Sequence, residues 1–320
     1  MLGAAHKPGA LPLRPLGLGD IYDAAFKVIR FNPTATVGAA VLVAAVAMAA
    51  PMLAAAAVTA ALGLSLDGGG SGDFSASENA ASVLALGSLA VGSVLQYAGL
   101  VFVTGMIAHV VSAAAVGRRL SLAEAWAATR GRRWRLVGLT VTIGLMWVVI
   151  IAGYAVVSAV VVIGADSTLF TVVYFLVTTP FLVALVVWTW IRLTYLAVPA
   201  LMLERRTGVF AALGRGFRLT RRQFWRTLGI ALLTAIVTAI AGQLLTVPFS
   251  IAGQIGAIGL GDSSVGLVIY VLASALGTVA STAFVAPFTS AVTTVQYLDQ
   301  RIRKEAYDVE LMARAGIIPA

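Results

Sequence analysis

Six times this chain runs for about 20 residues or more without a charged side chain, and a run of that length is read as a helix across a bilayer. The stretches extend from Thr34 to Leu64, Ala80 to Val116, Leu136 to Ile163, Leu169 to Ile191, Thr227 to Val247 and Val265 to Leu298. Hydrocarbon offers no water to the backbone, so each stretch is expected to satisfy its own N–H and C=O groups as a helix. Composition agrees: 60% of the residues are hydrophobic and 11% charged, whereas a soluble domain carries about 25% charged residues. Soluble-enzyme, secreted, disordered and nucleic-acid-binding classes are thereby set aside. The absence of cysteine removes disulfides, thiolate nucleophiles and iron–sulfur ligation. The first, second and last stretches are longer than the hydrocarbon is thick and must tilt, kink or protrude. The second reads either as one long helix or as two segments. Pro51, Pro180 and Pro287 are expected kinks, and the glycine-rich run Gly253 to Asp262 reads as a loop.

Cations set the orientation, because Lys and Arg are retained on the cytoplasmic side. All 22 of them except Arg192 fall in the N-terminal region, in Arg118 to Arg135, in Arg205 to Arg226 or in the tail from Arg301. The intervening loops carry Asp67, Asp73, Glu78, Asp166 and Asp262 instead. Both termini are therefore expected in the cytoplasm of a bacterial cell, with the protein multi-pass in its plasma (inner) membrane and three acidic loops outside. The formal charge of +9 then reads as topology, and no nucleic-acid partner is expected.

One register recurs three times. Phe26, Trp126 and Phe217 are each followed four residues later by Arg30, Arg130 and Arg221, and eight residues after those come Gly38, Gly138 and Gly229. Trp134 and Trp225 also coincide, as do Arg135 and Arg226. Duplication of a unit is expected: an amphipathic cytoplasmic helix, a span outward, a short loop and a span back. In the third copy Phe210, Leu213, Phe217 and Phe224 share one helical face and Arg215, Arg218 and Arg222 the other. Such a helix lies in the membrane interface, its rings at the acyl boundary and its guanidinium groups among anionic headgroups. The expected fold is thus an all-α polytopic membrane bundle of about six transmembrane helices, with three interfacial amphipathic helices in a threefold repeat. A flexible arm would occupy residues 1–17, the repeats 18–117, 118–207 and 208–298, and a helical cytoplasmic tail 299–320.

Chemistry-bearing residues are few. No carboxylate lies within a stretch, which argues against proton-coupled transport and intramembrane acid–base hydrolysis. His109 has no second His, Cys or carboxylate spaced to share a metal with it, and His6 lies in the arm; no metal and no cofactor are expected. Arg192, bracketed by Trp188, Trp190 and Tyr195, is read as reaching carbonyls, lipid phosphate or Glu204 at the interface. Arg30, Arg130, Arg192, Arg215, Arg218, Arg221 and Arg222 are the expected lipid or anion contacts. The hydroxyls of the last stretch, Thr278, Thr282, Thr289 and Thr293, could line a polar path, but Ala273, Gly277 and Ser281 favour a close-packed helix seam.

The opening PLRPLGLGDIYDAAFKVIRFNP, the middle LAVPALMLERRTGVFAALGRGFRLTRRQFWRTLG and the closing VQYLDQRIRKEAYDVEL resemble a family of actinobacterial multipass proteins with a glycerophosphodiester phosphodiesterase membrane domain. The resemblance implies a membrane domain without the soluble metal-binding barrel that carries the family's catalysis, so no catalytic residue is carried over. Two function classes follow. One is a non-enzymatic scaffold or accessory subunit whose partners are the bilayer, its anionic phospholipid headgroups and another membrane protein. The other is a permease for lipid or a small solute. An intramembrane enzyme is the remainder.

Overall fold

In the computed structural model every regular element among the described residues is a helix. The structure describes residues 9–12, 14–49, 74–165, 167–204, 207–259, 264–314 and 316–317. His6, Pro51, Asp67, Asp73, Asp166 and Asp262 lie outside them.

Helix α1 (Leu18–Phe31) forms because Ile21, Ala24, Ala25 and Val28 recur at helical spacing, and all four are buried. Its first turn is closed by the Gly17 N–H, which donates to the Asp20 carboxylate at 3.0 Å. Asn32 ends it, its side-chain oxygen accepting the Leu120 N–H at 3.0 Å. Pro33, with no N–H to give, suits a first helical position, and the chain bends by 88° into α2 (Thr34–Ala49). Helix α3 (Phe74–Ala115) is one helix of 42 residues, which resolves the second stretch as a single element. Helix α4 (Leu122–Ala128) begins at a reciprocal cap in which Ser121 Oγ accepts the Glu124 N–H and the Glu124 carboxylate accepts the Ser121 N–H.

The remaining helices are α5 (Arg133–Gly164), α6 (Thr168–Thr189), α7 (Ala197–Leu203), α8 (Val209–Thr220), α9 (Phe224–Gly259), α10 (Ser264–Glu305) and α11 (Tyr307–Arg314). A π-helical turn, Trp190–Thr194, links α6 to α7. Among the described residues five segments are long and apolar enough to cross a membrane: Val94–Ala115, Arg133–Gly164, Thr168–Leu203, Phe224–Gly259 and Ile269–Glu305. The bent pair α1–α2 makes a sixth if it counts as one span.

Helix α9 departs from the sequence reading. It continues through Pro248 to Gly259, so Gly253 to Gly259 is helix rather than loop. The physical reason lies in α10, against which these glycines close. A Cβ on Gly253 would lie 2.9 Å from Ala273 Cβ, and one on Gly256 2.9 Å from Ile269 Cγ2. Further down, a Cβ on Gly242 would lie 2.9 Å from Ser281 Oγ, and one on Gly277 3.1 Å from Phe249 Cβ. Ala273, Gly277 and Ser281 therefore form the close-packed seam, and the hydroxyls beside it turn inward on their own helix: Thr278 donates to Ser274 O and Thr294 to Ser290 O.

The core sits at the end of the bundle where the four cationic segments meet. Phe288, Ala291, Val292, Val295 and Leu298 of α10 are buried with Ile21 and Val28 of α1, Ile107 and Val111 of α3, and Leu201 of α7. Phe288 stacks on Tyr22, centroids 5.9 Å apart. The described part of the arm is docked rather than free. Leu11 and Leu16 are buried, the Ala10 N–H donates to Ala114 O at 2.8 Å, and a Cβ on Gly9 would collide with that same carbonyl. The tail is helical but interrupted: Ala306 adopts φ 50°, and α11 turns back to bury Tyr307 and Leu311.

Candidate functional site

The cationic end of the bundle holds two ion networks. In the first, Asp299 of α10 is fully buried and accepts Arg226 Nη1 at 2.6 Å, Arg303 Nε at 2.9 Å and the Leu16 N–H at 2.8 Å. The Leu16 carbonyl in turn accepts Arg226 Nη2 at 2.8 Å and Arg303 Nη2 at 2.7 Å. One residue of the arm thus joins two helices that end more than 200 positions later in the chain. In the second network Arg215 of α8 pairs with Glu204 and with Glu305. Tyr297 donates its hydroxyl to Glu204 Oε1 at 2.7 Å, and Arg301 pairs with Glu305 at 3.0 Å while its guanidinium lies 3.8 Å from the Tyr307 ring centroid.

Lys304 does not pair with Asp308, the i,i+4 partner its spacing suggests. Its ammonium instead donates to the carbonyls of Arg218, Leu219 and Arg221, the bare acceptors at the C-terminus of α8, where a cation is favoured. Arg132 does the same for α7, donating to Leu201 O and Met202 O. Arg135 donates to Thr207 O at 3.4 Å.

The seven expected anion contacts divide accordingly. Arg215 is spent on two carboxylates. Arg130, Arg218, Arg221 and Arg222 are exposed, and Arg222 sits at φ 68° in the turn before α9. Gly131, at φ 81°, holds the corresponding place before α5. Arg30 is exposed and lines a cavity of about 530 Å³ with Lys27, Phe31, Gly117 and Arg119. Lys27 there pairs with Asp23, and the Arg119 guanidinium lies 4.4 Å from the Phe31 centroid.

Of the partners expected for Arg192, Glu204 is not the one it meets. Glu204 is taken by Arg215 and Tyr297, and the Arg192 guanidinium, carried on the π-turn, packs 5.1 Å from the Phe217 centroid and 5.6 Å from that of Phe224. Its Nε and Nη1 are buried without a hydrogen-bond partner in the chain. The reason is geometric: α8 sits directly on the π-turn, a Cβ on Gly216 lying 3.4 Å from Leu193 O, so Arg215 rather than Arg192 reaches the carboxylate. His109 Nε2 is also buried without a partner. Among the described residues no group of three His, Cys, Asp or Glu could hold a metal ion.

Large aromatic side chains flank this end on the outside. Trp134 is 86% exposed, Trp225 80% and Phe210 78%. The three aligned aromatics Phe26, Trp126 and Phe217 expose similar fractions, 44%, 45% and 36%. Sequence reasoning missed Asp299, Arg303, Tyr297, Gln296 and Gln300. Asp299 had a signal: it is the first carboxylate after an uncharged run that begins at Val265. The two glutamines, four residues apart inside an apolar pattern and fully buried, had one as well. No protein-family model matches this chain, and no curated protein or solved structure is significantly similar to it.

Proposed function

We propose that the protein is a non-enzymatic integral membrane scaffold or accessory subunit of the bacterial plasma membrane, which gathers anionic phospholipid at its cytoplasmic end. The observation that carries this reading is the juxtaposition at one end of exposed Arg130, Arg218, Arg221 and Arg222 with exposed Trp134, Trp225 and Phe210. Indole and phenyl rings favour the headgroup level of a bilayer, and each nearby cation contributes about 1 kcal/mol of attraction to an anionic surface. On this reading α1, α4 and α8 are interfacial helices of a threefold repeat. Support comes from the matching exposure of Phe26, Trp126 and Phe217, from the positive φ at Gly131 and Arg222 in equivalent places, and from two buried threonines in register. Thr129 Oγ1 donates to Trp126 O, and Thr220 Oγ1 to Phe217 O. The resemblance to actinobacterial membrane-domain proteins is kept as part of the proposal, with no catalytic role attached to it.

The test is purification in native lipid followed by mass spectrometry of what stays bound. Replacing Arg218, Arg221 and Arg222 together by Gln should reduce co-purified anionic lipid severalfold without loss of the folded protein. Unchanged lipid content together with a measurable solute flux in proteoliposomes would replace the scaffold with a permease. Orientation is checked separately in this cysteine-free chain. Ser167→Cys should label from outside intact cells, and Ala128→Cys only after permeabilisation.

A further inference from the structure

Four side chains, on α10, on the π-turn and at the foot of α9, hold buried polar atoms to which no group in the chain hydrogen-bonds. Gln296 and Gln300 of α10 are fully buried, and both amide oxygens and both amide nitrogens lack a hydrogen bond. Arg192 Nε and Nη1 share that condition, as does Gln223 Oε1 at the foot of α9. Gln296, Gln300 and Lys304 recur at i, i+4 and i+8, so they share a face of α10. Lys304 reaches the last carbonyls of α8, which turns that face toward α8. The Arg192 guanidinium lies between Phe217 of α8 and Phe224 of α9, close enough for its charge to act on Lys304.

Charge accounting points outside the chain. The carboxylates that close this end are engaged: Asp299 by Arg226 and Arg303, Glu204 by Arg215, Glu305 by Arg215 and Arg301. A guanidinium with two buried nitrogens and no counter-charge is costly, and a buried amide without hydrogen-bond partners adds to that cost. The unpaired groups are a mixed set. Arg192 and the two amide nitrogens donate; the amide oxygens of Gln223, Gln296 and Gln300 accept. An anion by itself would leave those oxygens orphaned. A headgroup bearing an ammonium would bring a second cation to a place whose carboxylates are spent.

We infer that this junction is a binding site for a phosphate group carrying neighbouring hydroxyls, its phosphate oxygens on Arg192 and the glutamine nitrogens and its hydroxyls on the glutamine oxygens. The inference deepens the anionic-lipid reading and rests on it: one buried headgroup, distinct from the lipids gathered by the exposed arginines. Two sources share the chemistry, a polyol-headed phospholipid and a soluble polyol phosphate. The way in from the bilayer passes Trp188 and Phe217, which are partly exposed and meet edge to face at 6.4 Å.

The experiment measures binding and thermal stability of the full chain in detergent with three probes: dioleoyl phosphatidylglycerol, dioleoyl phosphatidylcholine and glycerol 3-phosphate. The expected result is that phosphatidylglycerol raises the melting temperature and phosphatidylcholine does not. One phosphatidylglycerol per chain should survive delipidation and be seen by native mass spectrometry. Arg192→Leu and the double variant Gln296→Met with Gln300→Met should each weaken its retention by about tenfold or more, the scale set by losing charge-assisted hydrogen bonds. Equal stabilisation by glycerol 3-phosphate would assign the site to the soluble source and support the shared chemistry. The methionine pair preserves volume and should fold; if Arg192→Leu does not, that pair carries the test. Retention unchanged in the methionine pair would overturn the site, and so would a rise in its melting temperature with no response to any probe. Replacing Arg218, Arg221 and Arg222 by Gln separates the two readings. Loss of bulk anionic lipid with the single lipid retained supports both, whereas bulk lipid unchanged while the single lipid depends on Arg192 leaves the site standing and removes the broader proposal.

Discussion

The α5–α6 and α9–α10 hairpins are both apolar and are opposite in packing. The spans of the first have mean hydropathies of 2.6 and 2.3 and those of the second 2.1 and 1.8, yet the first pair is 6% and 0% buried over its most apolar window against 28% and 17% for the second. The more apolar hairpin is the less buried one. In water that would be a contradiction; in a bilayer it follows, because lipid tails are as apolar as Leu and helices associate through close packing and hydrogen bonds instead. Helices α9 and α10 present Gly242, Gly253, Gly256 and Gly277 to each other and are pinned at their base by Asp299 and Arg226. Helices α5 and α6 present Val, Ile, Leu and Phe outward along their length. They meet through hydroxyls, Tyr154 with Thr178 at 3.2 Å and Thr179 at 3.1 Å, and Ser158 with Tyr174 at 3.2 Å.

The largest effect expected from this contrast is at the base of α9–α10. Asp299→Ala strands Arg226 and Arg303 without their buried partner, and removing one member of such a group costs about 3–5 kcal/mol. Reversible unfolding in mixed micelles measures it, and a cost below that of Tyr154→Phe would mean the base does not pin the hairpin. Next come the glycines. Gly253→Leu and Gly277→Leu should each destabilise by about 1–3 kcal/mol through overpacking. Gly144→Ala and Gly153→Ala in α5, where an added Cβ meets nothing within 4 Å, should be neutral or stabilising by up to about 1 kcal/mol. Equal costs in the two hairpins would break the comparison. The smallest effect is Tyr154→Phe, about 0.6 kcal/mol, the average for a hydrogen bond between membrane helices. A larger loss would show that hydroxyl pairs, rather than bilayer insertion alone, hold α5 and α6 together.

Much of the fold was legible because its signals are local. Five of the six uncharged stretches coincide with helices long enough to span, and the small-residue seam at Ala273, Gly277 and Ser281 was readable from spacing. The first stretch was only partly tested, since residues 50–73 lie outside the described residues. The end of α9 was misread because Pro248 and four glycines in the run to Gly261 favour a loop in water, whereas in a membrane helix the neighbouring strand of hydrogen bonds and a packed partner tolerate them. At the candidate site the aligned aromatic and Arg positions were visible as a register. Which arginine is paired and which is exposed was not, because Arg215 and Arg218 lie three residues apart on one short helix and differ by which neighbour each meets.

What the sequence by itself determined is the solvent and the layout: uncharged runs matched to bilayer thickness, and cations gathered between alternate runs. Both depend on transfer free energies that act residue by residue, so no knowledge of contacts is required. What only the tertiary structure decided is the fate of each polar group. Leu16 has an ordinary apolar side chain, yet its backbone joins Asp299, Arg226 and Arg303. Arg192 carries a charge that Glu204 could have met, yet it ends over two phenyl rings. Hydrogen bonds and ion pairs reach only a few ångströms, so their partners are set by which helices come to rest side by side, as α8 does on the π-turn at Gly216.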